Sequence, residues 1–286
     1  MKKKENNKSL IIQNQALVSF TQLQLGITDK LLKREATDWL GKANTYLDQG
    51  AYPEAIDACN KAIEINPADA AAYRCCGIAR MLLGDYADAL EDLSQSIALA
   101  PDQIDTYMER GCLHYDLEEY GPAIADFTSA IQVDPKHAPA YYSRGYTQYD
   151  LKNIQSAIKD FTQAIALDAN HADAWFNRGF AKFDLRDYRG AVVDFTECIK
   201  LRPNDSIAYA SRGETRYQLK HLRDAISDFN KVIELDPTSP NVYYHRGIAK
   251  ADLRNYHEAL QDLEKAKQQK HPGAKAAIAR IYALGK

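Results

Sequence analysis

The residues able to do chemistry recur at a fixed interval. Six aspartates, Asp92, Asp126, Asp160, Asp194, Asp228 and Asp262, are spaced 34 residues apart. Carboxylates that share one site can divide acid and base work, but these fall one to a repeat. An arginine precedes five of them at a constant offset: Arg110, Arg144, Arg178, Arg212 and Arg246. A guanidinium beside each carboxylate holds it ionised and unfit for proton transfer, so the expected chemistry is a repeated ion pair that belongs to the scaffold. The seven histidines are scattered, and His137 and His171 occupy equivalent places in successive copies, expected in exposed turns and not at a metal. Cys59, Cys75, Cys76, Cys112 and Cys198 show no C-x-x-C spacing; the reading is a reducing compartment, with Cys75-Cys76 an ordinary adjacent pair on a helix. Phosphate loops and the H-E-x-x-H and G-x-S-x-G signatures are missing. The sequence therefore offers no catalytic residue, metal site or cofactor site, and points away from an enzyme.

What must position these residues is the repeat itself. An aromatic stands three before each Arg (Tyr107, Tyr141, Trp175, Tyr209, Tyr243) and a Gly directly after it. Ala123, Ala157, Ala191, Ala225 and Ala259 follow, then Phe127, Phe161, Phe195, Phe229 and Leu263, and in most copies a Pro: Pro135, Pro203, Pro237. This order of landmarks at this period resembles the tetratricopeptide repeat family, a helix-turn-helix repeat. Seven copies begin at Ala36, Ala70, Ile104, Ala138, Ala172, Ser206 and Pro240 and cover 36–273. The resemblance implies an all-α fold, a right-handed superhelical solenoid in which each repeat buries its apolar stripe against its neighbours.

The 286 residues would hold two globular domains by length, but the period argues for one continuous array. The formal net charge of −3 provides no basic stripe for nucleic acid. No segment reaches the ~18 uninterrupted apolar residues of a membrane span, and the start lacks the features of a secretory signal, so a cytoplasmic protein is expected. Residues 1–35 read as a tail and a capping helix, with Ala16, Phe20, Leu23, Ile27 and Leu31 on one face; occupation of the binding groove by this segment is the alternative. Residues 274–286 read as a C-terminal capping helix carrying Ile278, Ile281 and Tyr282.

Within a repeat, helix A is expected at about positions 2–14 and helix B at about 18–31. Gly at position 8 and Ala at position 20 leave room for the two to cross. Position 7 is Arg in five copies, position 11 is often basic (Arg80, Lys182, Arg216, Lys250), and position 23 is Asp in six. The family's common form has apolar or aromatic residues at all three positions, so the correlated change predicts contact between 7, 11 and 23.

The resemblance also implies a ligand face, the concave side lined by positions 2, 5, 6, 9, 12 and 13 of helix A. On it stand Tyr142, Tyr146, Tyr149, Phe176, Phe180, Phe183, Tyr217 and Tyr244. The acids there are Asp48, Asp105, Glu109, Asp116, Asp150, Asp173, Asp184, Glu214 and Asp252, against Arg74 alone. Packing between helices is one explanation of the aromatics; an acidic, aromatic-lined peptide groove is the other. The clamp by which some family members hold chaperone C-termini is ruled out, because Leu40, Asn44, Cys75, Asp105 and Glu109 stand where it needs lysines, asparagines and an arginine. The leading reading is a non-enzymatic adaptor for a polypeptide with basic and apolar residues, binding no nucleic acid and inserting in no membrane. A self-assembling homo-oligomer and a regulatory subunit of an enzyme on another chain are the alternatives.

Overall fold

The computed structural model describes residues 29–284, which form 15 helices and no strand. They group into two compact units that divide between Val133 and Asp134. The first holds α1 (29–48), α2 (Tyr52–Ile65), α3 (Ala70–Leu83), α4 (Tyr86–Leu99), α5 (Ile104–Asp116) and α6 (Tyr120–Val133). The second holds α7 (Ala138–Asp150), α8 (Ile154–Leu167), α9 (Ala172–Asp184), α10 (Tyr188–Leu201), α11 (Ser206–Gln218), α12 (Leu222–Leu235), α13 (Pro240–Asp252), α14 (Tyr256–Gln268) and α15 (Ala274–Leu284). In each unit an odd-numbered helix A pairs with the helix B that follows it, and helix B packs on the next helix A. The helices begin one position earlier than the sequence suggests. Residues 29–35 continue directly into helix A of the first repeat; the rest of the expected N-terminal capping helix lies outside the described residues. At the other end α15 buries Ile278 and Ile281 and exposes Tyr282.

The crossing inside a repeat is set by position 24. Phe127, Phe161, Phe195, Phe229, Leu93 and Leu263 are almost wholly buried, and each lies against the glycine at position 8. A Cβ built on Gly179 would stand 2.8 Å from Cε1 of Phe195, closer than carbon atoms pack. The turn between helices A and B uses one left-handed residue, at position 15. Gly50 and Gly84 fill it in the first two repeats, but Glu118, Lys152, Arg186, Lys220 and Arg254 take φ of 60 to 66° in the others. Those residues end helix A in a Schellman motif, with Asp187 N–H donating to Lys182 C=O at 2.9 Å as the example in α9.

Position 7 binds the array together. Arg110, Arg144, Arg178, Arg212 and Arg246 each grip the Asp of their own repeat, with closest N–O distances of 2.6 to 2.8 Å. Lys182, Arg216 and Lys250 add a second base at position 11 to Asp194, Asp228 and Asp262. Four of these arginines also cross to helix B of the preceding repeat. Arg110 donates to Ser94, Arg178 to Thr162, Arg212 to Thr196 and Arg246 to Asn230.

Between the first two repeats the link is covalent. Cys59, at position 24, and Cys76, at position 7, form a disulfide with Cα atoms 5.8 Å apart. This corrects the sequence reading of free thiols. The two positions face each other across a repeat junction, a relation that C-x-x-C spacing does not capture, and the cysteine pattern is therefore no guide to compartment. Cys75 and Cys198 are buried thiols, each pushed up to about 11 mainly by that burial and so poorly nucleophilic.

Candidate functional site

The eight aromatics of the expected ligand face, with Asp150, Asp173, Asp184 and Glu214, lie in the second unit, on α7, α9, α11 and α13. The structure gives most of them a packing partner. Phe176 and Phe180 meet edge-on and both rest against buried Phe195, with ring centroids 5.8 and 5.4 Å from it. Tyr142 packs on Phe161 and His171, Phe183 on Tyr188, and Tyr244 stacks on His271 with centroids 4.0 Å apart. None is fully buried, and Tyr146 is 37% exposed. The face is thus an aromatic layer with its inner edges in the core and its outer edges at the surface.

A second order appears between repeats. Side chains on adjacent A helices bond at a separation of 35 residues. Tyr149 Oη donates to Asp184 at 2.7 Å, Tyr217 Oη to Asp252 at 2.8 Å, and Asn177 Nδ2 to Tyr142 Oη at 3.0 Å. In the first unit Arg74 bonds Glu109 through Nε in the same way. Burial first, and then the neighbouring carboxylate, pushes the Tyr149 phenol far above its ordinary range and Tyr217 up to about 12; burial leads at Tyr142, also about 12. These phenols stay protonated; Tyr149 and Tyr217 act as donors, and Tyr142 accepts from Asn177. The ladder fixes the spacing of successive A helices.

The charge of the face differs from a simple count of its helix A residues. Arg202, from the end of α10, reaches Asp173 with two hydrogen bonds of 2.7 and 2.6 Å, and this pair holds the Asp173 carboxyl below its usual range. Lys220 and Arg280 approach Asp252, while Asp105 and Glu109 face Arg74. Glu214 differs: among the described residues it makes no hydrogen bond or ion pair, and it lines a cavity of about 220 Å³.

The face holds one more residue that its aromatic pattern hides. Ile207, at position 2 of α11, is 64% exposed. His171 and His137, expected in exposed turns, are half-buried: the His171 ring lies on Tyr142 and its Nδ1 accepts the Ala174 N–H. Among the described residues no three His, Cys, Asp or Glu side chains converge to hold a metal ion. No helix of the described residues is long and apolar enough to cross a membrane.

Comparison with known proteins agrees with this architecture. The description "Tetratricopeptide repeat" matches residues 36–69, 138–171 and 172–205, and again 104–137 and 240–269, while "TPR repeat" matches 213–253. No curated protein matches the chain by sequence. Among solved structures, YrrB, described as a TPR protein with an unusual peptide-binding site, is similar over 66% of this chain and 98% of its own, at 24% identity and a TM-score of 0.62. The C-terminal part of a TPR repeat-containing protein from Cytophaga hutchinsonii covers 84% of this chain and 99% of its own, at 18% identity and a TM-score of 0.70. A tetratricopeptide repeat protein from Parabacteroides merdae covers 87% and 99%, at 21% identity and a TM-score of 0.60. At such identities the likeness speaks to fold alone. The matches to the repeat descriptions, in register with the helix pairs, show that the chain belongs to the tetratricopeptide repeat family.

Proposed function

We propose that this protein is a non-enzymatic adaptor that holds a polypeptide segment along the helix A face of its second unit. The observation that carries the reading is the aromatic layer on α7, α9, α11 and α13, which combines rigid inner packing with an exposed outer edge at Tyr146, and with exposed Ile207 two repeats further along the same set of helices. Aromatic groups fixed in this way supply contact area at little entropic cost, as recognition surfaces require. YrrB, of similar fold, is described by its peptide-binding site, which supports the same use of the fold here.

The partner segment combines basic and apolar side chains. The chain's own lysines illustrate the preference: Lys152 lies over the Tyr149 ring at 5.7 Å and Lys220 over Tyr217 at 5.1 Å. A cation over an aromatic face is attracted by the ring quadrupole, and a partner cation can take the place of either lysine. Selection of peptides from a random display library on the intact chain tests the reading. Peptides that bind the wild type and lose at least ~10-fold in affinity on Tyr146→Ser with Ile207→Ser, two exposed positions, support it. Failure to select any peptide, or indifference to that pair of changes, refutes it.

A further inference from the structure

Between α11, α12 and α13 lies the 220 Å³ cavity, lined by Ala210, Glu214, Phe229, Val232, Ser239, Asn241, Val242 and His245. Small-molecule sites run from roughly 300 to 1,000 Å³; this one has room for a single side chain. Its floor is apolar, formed by Phe229, Val232 and Val242, which are buried. Its rim is polar, and the side chains of Glu214, Ser239, Asn241 and His245 make no hydrogen bond to another side chain or backbone group among the described residues. Ser239 stands at the N-cap of α13 without capping it, and His245 lies over Phe229, with its ring centroid 6.0 Å away.

Resting on the adaptor reading above, we propose that this cavity is a specificity pocket for one arginine side chain of the bound polypeptide. The stem of an arginine would lie on Phe229 and Val232, and its guanidinium would present a planar fork of donors to Glu214, with Asn241 Oδ1 and Ser239 Oγ as further acceptors. An apolar side chain would cover the rim groups without bonding them, which is costly, and an acidic one would meet Glu214. The start of α13 offers an anion little, since Pro240, its first residue, has no N–H. Burial lowers the His245 pKa, against the opposing pull of Glu214, so at neutral pH the imidazole is uncharged and Glu214 sets the sign of the pocket. One carboxylate and one imidazole do not make a metal site.

The test is a double-mutant cycle on the intact chain. Peptides selected from a random library are titrated by calorimetry against wild type and Glu214→Gln, each with its arginine and with citrulline, the neutral isostere, in its place. The expected result is that citrulline weakens binding to the wild type at least ~10-fold and to Glu214→Gln less than ~2-fold, a coupling typical of a desolvated charge pair. Thermal unfolding of Glu214→Gln at neutral pH should match the wild type, because Glu214 gives up no hydrogen bond or ion pair and its neighbour His245 is uncharged there. Selected peptides that lack arginine, or an arginine whose replacement costs the same in both proteins, overturn the pocket and leave the adaptor reading intact. If no peptide is selected, the adaptor reading fails and the pocket with it. Concentration-dependent self-association that disappears in Glu214→Gln, with no peptide bound, would assign the pocket to a second copy and overturn the proposal.

Discussion

Arg178 and Asp194 are joined by two parallel hydrogen bonds, Nε to Oδ2 at 2.9 Å and Nη2 to Oδ1 at 2.8 Å, with the aspartate side chain fully enclosed. Lys182 closes the remaining side of the same carboxylate at 2.7 Å, and the Arg178 guanidinium lies 4.8 Å from the Trp175 ring centroid. One carboxylate thus organises two bases, and through the Arg178 bond to Thr162 it also binds the preceding helix B. Asp194→Asn leaves two partly buried cations short of a counter-charge, a loss of about 3–5 kcal/mol. Joint replacement by Arg178→Met, Lys182→Met and Asp194→Leu should recover most of that loss. Urea unfolding of the single and triple variants checks both expectations.

The left-handed residue at position 15 predicts a gain. Arg186 sits at φ 61°, a conformation that costs a side-chain-bearing residue about 1–2 kcal/mol. Arg186→Gly should raise stability by roughly 0.5–1 kcal/mol once the greater freedom of glycine in the unfolded chain is discounted. Arg186→Val should lower it, since a β-branched side chain fits that backbone badly. Thermal melts of the two variants have opposite signs if the turn controls the effect.

The disulfide predicts a local dependence on redox state. Cys59 and Cys76 close a loop with a sequence separation of 17 and tie α2 to α3; such a loop contributes about 3 kcal/mol through the unfolded chain. Reduction, or Cys76→Ser, should raise hydrogen exchange in α1 to α3 and leave α9 to α13 unchanged. Uniform loss of protection across both units would contradict this.

Acidification should destabilise the second unit through His245. Burial depresses its pKa in the folded chain, so the unfolded chain binds the proton more readily. That contribution is complete above the unfolded pKa of about 6.5 and is lost as pH falls below it and on through the lower folded value. His271 adds to it with the same sign, lowered by burial and then by His245. Melting temperature should fall between pH 7.5 and 5.5, and His245→Asn should reduce the slope.

Much of this structure was legible in the sequence because a repeat writes the same physical requirement several times. The Arg and Asp at positions 7 and 23 vary together, and each Arg178-type residue meets its Asp as the spacing predicts. Gly179 and Ala191 mark the helix crossing for the same reason. What stayed hidden depends on contacts made once, or across a junction. Cys59 and Cys76 are neighbours only because helix B of one repeat faces helix A of the next. Arg202 reaches Asp173 from a helix B end, outside the positions counted for the face, so the helix A tally of acids overstated its free charge. The partial burial of Phe176 and Phe180 against Phe195 answers to packing geometry that aromatic spacing does not encode, and the cavity at Glu214 exists only where three helices meet.

The central claim is the location of the polypeptide, and carbene footprinting of the intact chain, with and without a selected peptide, reads it directly. Tyr146 on α7 and Ile207 on α11 are exposed on the proposed face, whereas Val193 on α10 is 56% exposed on a helix B. Binding along the helix A face predicts protection of Tyr146 and Ile207, with labelling of Val193 unchanged. Protection of Val193 while Tyr146 and Ile207 stay fully labelled would contradict the account.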